Sequence, residues 1–388
     1  MKDSERLAWL RLARTENVGP VTFASLIARF GSAQAALAEA PRLAARGGKP
    51  LVLPPEDEIA REMTALSRLG GRFLLSGEAG YPHGLKALEA PPPALAVLGQ
   101  THLLQKDMVA MVGARNASAL GRRLAAMLAQ ELGNAGLGIV SGLARGIDAA
   151  AHEASLPGGT VAVVAGGVDI IYPPEHQALY EAIVAQGVIV SEMPLGEQPQ
   201  ARHFPRRNRI VSGLSMGVLV VEAALQSGSL ITARQAADQG REVFAVPGSP
   251  LDPRCRGSNR LLRDGATLVE TADDVLAQIG ARTVAAPPPA APSVGSAGEG
   301  SPDVVVACRN QPMGQRPATP PRTIVQDIEK SGKSIPERIL ACLSPSPTAV
   351  DEVIRQCHVS PALVTAALLD LELSGRVERL QGNMVALI

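Results

Sequence analysis

The 388-residue sequence predicts an α/β chain: an extended Rossmann-like, doubly wound, mostly parallel sheet, with a small N-terminal all-α module and a C-terminal winged helix. Three observations predict it. Apolar runs at Val109–Val112, Leu137–Val140, Val161–Ala165, Val188–Val190, Val218–Val221, Val243–Val246 and Thr267–Val269 alternate with helical stretches. Such runs, apolar on both faces and separated by helices, are the pattern of parallel strands covered on both sides. Several of them end in turns of Gly, Ser and Arg before a helix begins, and a Pro/Ala/Gly/Ser-rich stretch sets the last segment apart.

Taken in order, residues 1–75 read as short helices. Asn17-Val18-Gly19-Pro20 separates two of them, and Phe23, Leu26, Ile27 and Phe30 recur at helical spacing before Gly31. This is a helix-hairpin-helix or SAM-like module, whose hairpin amides can grip a DNA backbone or which can serve as a packing domain. Residues 80–281 form the Rossmann-like domain. Residues 282–333, with Pro287-Pro288-Pro289, read as a flexible linker. In residues 334–388, helices are expected over Pro336–Leu343, Thr348–Gln356 and Pro361–Ser374. Strands Arg376–Leu380 and Met384–Leu387 follow, joined across Gln381-Gly382-Asn383, to complete a winged helix. Its third helix carries Asp370 and Glu372 and no Lys or Arg, which favours a protein-contact or structural role over insertion into a DNA groove.

Thirty-seven basic and 37 acidic residues cancel, so no global field draws in nucleic acid and any such partner is held by a local patch. Arg202, Arg206, Arg207 and Arg209 supply one, and Arg254, Arg256, Arg260 and Arg263 a second. Cys255, Cys308, Cys342 and Cys357 form no CxxC pair, so neither a disulfide framework nor a zinc site is expected, and a reducing cytoplasm fits. No apolar signal core opens the sequence and no apolar run has membrane-spanning length, so no membrane role is expected.

Gly113-Ala114-Arg115, Ser141-Gly142-Leu143-Ala144-Arg145-Gly146 and Ser227-Gly228-Ser229 each precede a helix. Free backbone N–H groups and the positive end of the helix dipole make such turns cradles for phosphate. The first is not a dinucleotide fingerprint, because the second glycine is missing after Gly113, and no Gly-Lys-Ser/Thr signals an ATPase. No cofactor is expected. Asp148 and His152 share a helix face beyond Ser141, yet no nucleophile elbow accompanies them, and an acid in a first turn ordinarily satisfies backbone amides; catalysis is not expected there. Arg202-His203-Phe204-Pro205-Arg206-Arg207-Asn208-Arg209 offers phosphate contacts, a stacking ring and an edge-reading amide, the combination used for single strands. The same segment also reads as a helix start whose arginines pair with acids such as Glu192.

Together with Val112-Gly113-Ala114-Arg115 and the Ser141–Asp148 turn, four segments resemble the DNA-processing protein A family (DprA, also called Smf). They are Phe204–Gly213, Val221-Glu222-Ala223, Ser227–Ala233 and Ala245-Val246-Pro247-Gly248. The resemblance implies a non-catalytic bacterial protein that binds incoming single-stranded DNA during natural transformation, protects it and helps load the RecA recombinase. It also implies a homodimer formed through the Rossmann-like domain. By this resemblance Arg115 and the Ser141–Gly146 turn hold phosphates, Phe204 sits at the DNA pocket, and Arg202, Arg207, Asn208 and Arg209 shape or line it. A rival reading is a nucleoside-monophosphate phosphoribohydrolase of the lysine decarboxylase-like type, which shares the layout. Its Pro-Gly-Gly-x-Gly-Thr-x-x-Glu acid has no counterpart in Gln226–Arg234, and Glu222 lies before that loop.

Overall fold

The structure is a computed structural model and describes residues 1–45, 52–285, 335–343, 348–357, 359, 361–374, 376–380 and 384–387. Two compact units result, Met1–Ala281 and Arg282–Ile388.

The first unit opens with helices α1 (Asp3–Ala13), α2 (Pro20–Phe30), α3 (Ala33–Ala45) and α4 (Glu56–Arg68). Pro20 starts α2 where its missing N–H costs nothing, and Gly31 ends it at φ 79°, a left-handed conformation that glycine adopts without strain. Trp9 packs 5.0 Å from Phe23 and donates its indole N–H to the Pro93 carbonyl at 2.9 Å. Leu10, Leu12, Phe23 and Leu66 share one core with Phe73, Leu98 and Ile189, so the helical module is welded to the sheet.

The sheet has nine strands: β1 (Arg72–Leu75), β2 (Ala94–Gly99), β3 (Met108–Val112), β4 (Gly138–Ser141), β5 (Thr160–Val163), β6 (Val188–Ser191), β7 (Gly217–Val220), β8 (Glu242–Ala245) and β9 (Thr267–Leu268). Their spatial order is β1-β2-β6-β5-β4-β3-β7-β8-β9. From β6 to β9 all neighbours are parallel, while β1 and β2 run antiparallel at one edge. Those two strands depart from the sequence reading. Arg72–Leu75 had fallen to the helical module, and Ala94–Gly99 follows Pro91-Pro92-Pro93, where turn residues mask a short strand. Helices α6 (Ala119–Asn134), α7 (Ile147–Ser155), α8 (Gln177–Gln186), α9 (His203–Leu214), α10 (Gly228–Asp238), α11 (Arg256–Arg263) and α12 (Ala272–Ala285) cover the faces, and a one-turn α5 (His83–Lys86) precedes β2. Helix α12 runs past residue 281 into the start of the expected linker; residues 286–334 lie outside the described residues.

In the second unit, helices Ile335–Cys342, Val350–Cys357 and Pro361–Leu373 pack with a three-stranded sheet of Thr348–Ala349, Met384–Leu387 and Val377–Leu380. Thr348 and Ala349, expected as helix, pair instead with Val385 and Met384. Ile339, Val353, Leu368 and Val385 form the core of a winged helix. Its turn Gln381-Gly382-Asn383 lies outside the described residues. Cys342 and Cys357, fifteen residues apart, bring their sulfurs to 3.8 Å.

Candidate nucleic-acid interface

Strands β3 to β6 build the sheet outward in one direction, and the chain then returns to place β7 on the other side of β3. The reversal opens a crevice beyond the carboxyl ends of the central strands, the ordinary ligand position in a doubly wound sheet. All three Gly/Ser/Arg turns follow strands that end there: β3, β4 and β7.

Two of the three cradles are already filled from within. At the start of α6, Ser118 caps the helix by accepting from Gly121 N–H at 2.8 Å. The Glu222 carboxylate accepts from Ser118 N–H at 2.9 Å and from its hydroxyl at 2.6 Å. A Cβ on Gly121 would lie 2.5 Å from that carboxylate. Helix N-termini favour anions, and here the anion is a side chain. Gly113 serves packing: a Cβ there would come within 2.5 Å of Ile147 and 3.0 Å of the Glu222 carbonyl. In the second turn, buried Asp148 accepts from Gly142 N–H at 3.1 Å and Ala144 N–H at 3.3 Å. Burial pushes its pKa up, against the pull of Arg207 and those amides. Ser141 donates to the Met111 carbonyl at 2.6 Å and is fully buried, so its hydroxyl does not face the crevice as the phosphate-donor reading requires. Gly146, at φ 79°, lets the second turn close on the first; a Cβ there would meet the Ala114 and Arg115 carbonyls.

His152 is equally committed. Its Nε2 accepts from Leu143 N–H at 3.3 Å, so Nδ1 carries the proton and donates to Thr160 Oγ at 2.7 Å, which in turn donates to the Ile139 carbonyl. Burial, with Arg207 nearby, holds its pKa down at about 3. His152 is thus bound to Leu143 and Thr160 rather than to Asp148, whose carboxylate takes the turn's amides, so Ser141, Asp148 and His152 do not form a relay.

Arg207 joins these turns to α9. It is buried and donates to the Gly142 and Val163 carbonyls, and a Cβ on Gly142 would collide with its guanidinium. Burial lowers its pKa to about 10, with Asp148 opposing, so it stays cationic at neutral pH. Above it sits Phe204, whose ring centre lies 6.0 Å from the Arg207 guanidinium and 5.3 Å from that of exposed Arg115. Both distances are within cation–π range. Tyr172, 45% exposed, lies 6.0 Å from Phe204 at a 59° tilt. The result is an aromatic pair, exposed Tyr172 and half-buried Phe204, flanked by one exposed and one buried cation. Tyr172 was missed in the sequence because it stands alone between Ile171 and Pro173, far from any basic run.

The other expected residues divide. Exposed Arg145 pairs with Glu175. Arg202 is exposed, with its Nε 3.4 Å from His203 Nε2. Arg209 is turned inward, donating to Glu192 Oε1 at 2.5 Å and to the Ala90 carbonyl at 3.3 Å; it shapes the site without lining it. Asn208 donates to the Gly228 carbonyl at 3.4 Å, tying α9 to the third turn. There Ser227 caps α10 by accepting from Ser229 N–H at 3.3 Å, and the two hydroxyls share a hydrogen bond of 2.6 Å. No acid stands in the first turn of α10, and Gly228 is exposed.

A doubly wound sheet with arginines and aromatic rings at its switch point, and with its own acids occupying two of its helix-start cradles, defines a Rossmann-like protein that departs from the usual nucleotide-binding arrangement. The chain belongs to the DNA recombination-mediator protein A family, whose model matches residues 72–280. Residues 3–65 match the DprA-like N-terminal HHH domain and residues 317–383 the DprA winged helix domain. Among relatives, Protein Smf of Synechocystis is 33% identical over 98% of both chains. The DNA processing protein DprA of Bacillus subtilis is 42% identical over 58% of this chain and 77% of its own. The X-ray structure of DNA processing protein A from Streptococcus pneumoniae aligns with TM-score 0.56 and 35% identity, over 68% of this chain and 87% of that one. DNA processing protein A from Helicobacter pylori, described for its single-stranded DNA binding mode, aligns with TM-score 0.50 and 31% identity, over 55% and 96%.

Proposed function

We propose that this protein binds single-stranded DNA across the crevice, protects it and helps load the RecA recombinase during natural transformation, acting as a cytoplasmic homodimer without catalysing a reaction on the strand. The observation that carries this reading is the Arg115–Phe204–Tyr172 cluster over buried Arg207. Bases of a single strand are free to stack on an accessible ring pair, and the exposed cation meets the phosphates between them. The third turn, with no acid in its helix's first turn, offers exposed Gly228 and the Ser227 and Ser229 hydroxyls to a further phosphate. The single-strand binding described for the Helicobacter relative supports the same assignment.

The phosphoribohydrolase reading needs a carboxylate free to reach a glycosidic bond. Glu222, the acid just before the corresponding loop, is spent on Ser118. Fluorescence anisotropy of labelled single-stranded and duplex oligonucleotides tests the proposal, with RecA-dependent strand exchange as the second stage. Tight, salt-sensitive, single-strand-selective binding is expected. Equal affinity for duplex, or release of ribose phosphate from a nucleoside monophosphate, overturns it.

A further inference from the structure

A second concavity of about 450 Å³ lies on the far flank of α9, within the first unit, where the hairpin Thr15–Pro20 faces the end of β6. Its volume is in the range of small-ligand sites. Pro20, Pro93, Met193 and Pro194 give it flat apolar walls. Arg14, which also lines it, is used up as a strut: it pairs with Glu62 and donates to the Glu192 carbonyl at 2.9 Å. The hairpin is thereby fixed to the sheet, and its Val18 N–H is spent on the Thr15 carbonyl.

Two groups remain to receive a ligand. Glu192, 9% exposed, gives Oε1 to Arg209, while its buried Oε2 has no hydrogen-bond partner among the described residues. A buried carboxylate oxygen left without a donor is costly, and a ligand that supplies one recovers that cost. Over it lies half-exposed Arg206, 3.9 Å from Oε2, too far for a hydrogen bond and free to swing outward.

We infer that this cavity is a nucleobase pocket selective for guanine, filled by a base of the same strand that crosses Phe204, with Arg206 moving onto its phosphate and Glu192 reading its edge. The inference rests on the single-strand reading above. Guanine alone among the four bases presents two adjacent donors, N1–H and the 2-amino group, with no acceptor between them. Adenine and cytosine place an acceptor nitrogen beside their amine, and thymine flanks its N3–H with carbonyls, so each sets a lone pair against the carboxylate. A cationic partner side chain suits the cavity less well, because Arg14 and Arg206 already supply positive charge there and only an anion-bearing ligand satisfies both Arg206 and Glu192.

The test is competition anisotropy with three thymine strands of equal length: one unmodified, one carrying isolated guanines and one carrying adenines at the same positions. The wild type is expected to bind the guanine strand at least about fivefold tighter than the adenine strand, the low end of discrimination for a good bidentate base contact. Glu192→Gln removes the preference. Because Glu192 also supports Arg209, Ala13→Leu provides a second variant, filling the cavity while leaving the carboxylate intact, and it too should equalise the strands. Equal affinities in the wild type, or a guanine preference that survives Ala13→Leu, overturn the pocket. Binding of the unmodified thymine strand is judged separately: its absence overturns the single-strand reading itself, and its presence without guanine preference overturns only the pocket.

Discussion

Arg115 and Arg207 both approach the Phe204 ring, yet replacing each with alanine should produce different failures. Arg115 is exposed and holds no ion pair among the described residues, so Arg115→Ala should leave folding stability within about 0.5 kcal/mol of wild type. Its loss should appear in binding. One charge-assisted phosphate contact is worth about 1.5–3 kcal/mol, and on a single strand each lost contact lowers the slope of log affinity against log salt by about 0.7. Arg207→Ala removes a buried cation near the Asp148 carboxylate and leaves the Gly142 and Val163 carbonyls without its donors. Leaving buried acceptors unsatisfied costs about 1–3 kcal/mol each, and the DNA defect that follows is secondary to the loosened turn. Anisotropy of a labelled thymine oligonucleotide over a salt series gives the slope. Urea unfolding followed by Trp9, the single tryptophan, whose side chain is buried in the first unit's core, gives the stability. A salt slope unchanged in Arg115→Ala, or wild-type urea resistance in Arg207→Ala, refutes this division of labour.

Other outcomes follow from the same contacts. His152 has its pKa depressed to about 3, so between that value and its ordinary 6.5 the unfolded chain binds more protons, and the His152 contribution is complete above about pH 6.5 and lost as pH falls. Taking the wild type from pH 7 to about pH 4.5 should cost about 2.7 kcal/mol more than the same change costs His152→Asn, the difference cancelling the opposed titration of Asp148; parallel pH profiles in urea unfolding contradict it. Tyr172→Ala and Phe204→Ala should each weaken single-strand binding by about 1–3 kcal/mol with little change for duplex, and an unaltered anisotropy titration for Tyr172→Ala removes it from the platform. Glu222→Ala should destabilise by about 1–3 kcal/mol and make the melting temperature respond to added sulfate more than the wild type's does, because it empties the amide cradle of α6; a sulfate response equal to wild type's counts against that cradle.

The parallel strands were legible because burial on both faces leaves uninterrupted apolar runs such as Met108–Val112. The edge strand Arg72–Leu75 was not, since four residues after a helical stretch carry too little pattern. The site was half legible. Arg115, Phe204 and Arg207 stand in motifs, but whether an arginine faces a crevice or a core depends on the helix's rotation, and the sequence holds Arg207 and Arg209 alike. Ser118 and Glu222 show the sharper limit: the Gly113-Ala114-Arg115 turn reads as a phosphate cradle whether or not a distant carboxylate has claimed the amide and hydroxyl of the following helix cap.

The internal carboxylates also set what the crevice can be distracted by. A mononucleotide binds a Rossmann-like fold by concentrating several amide contacts on one or two phosphates, and Glu222 and Asp148 have removed that option at two turns. A polymer does not need it. Under the proposed single-strand reading, successive nucleotides engage Arg115, the aromatic pair and the third turn as tethered, individually weak events whose effective concentrations multiply. Free nucleotides, however abundant in the surrounding solution, are then poor competitors for a long strand, and discrimination by chain length is built into the helix caps.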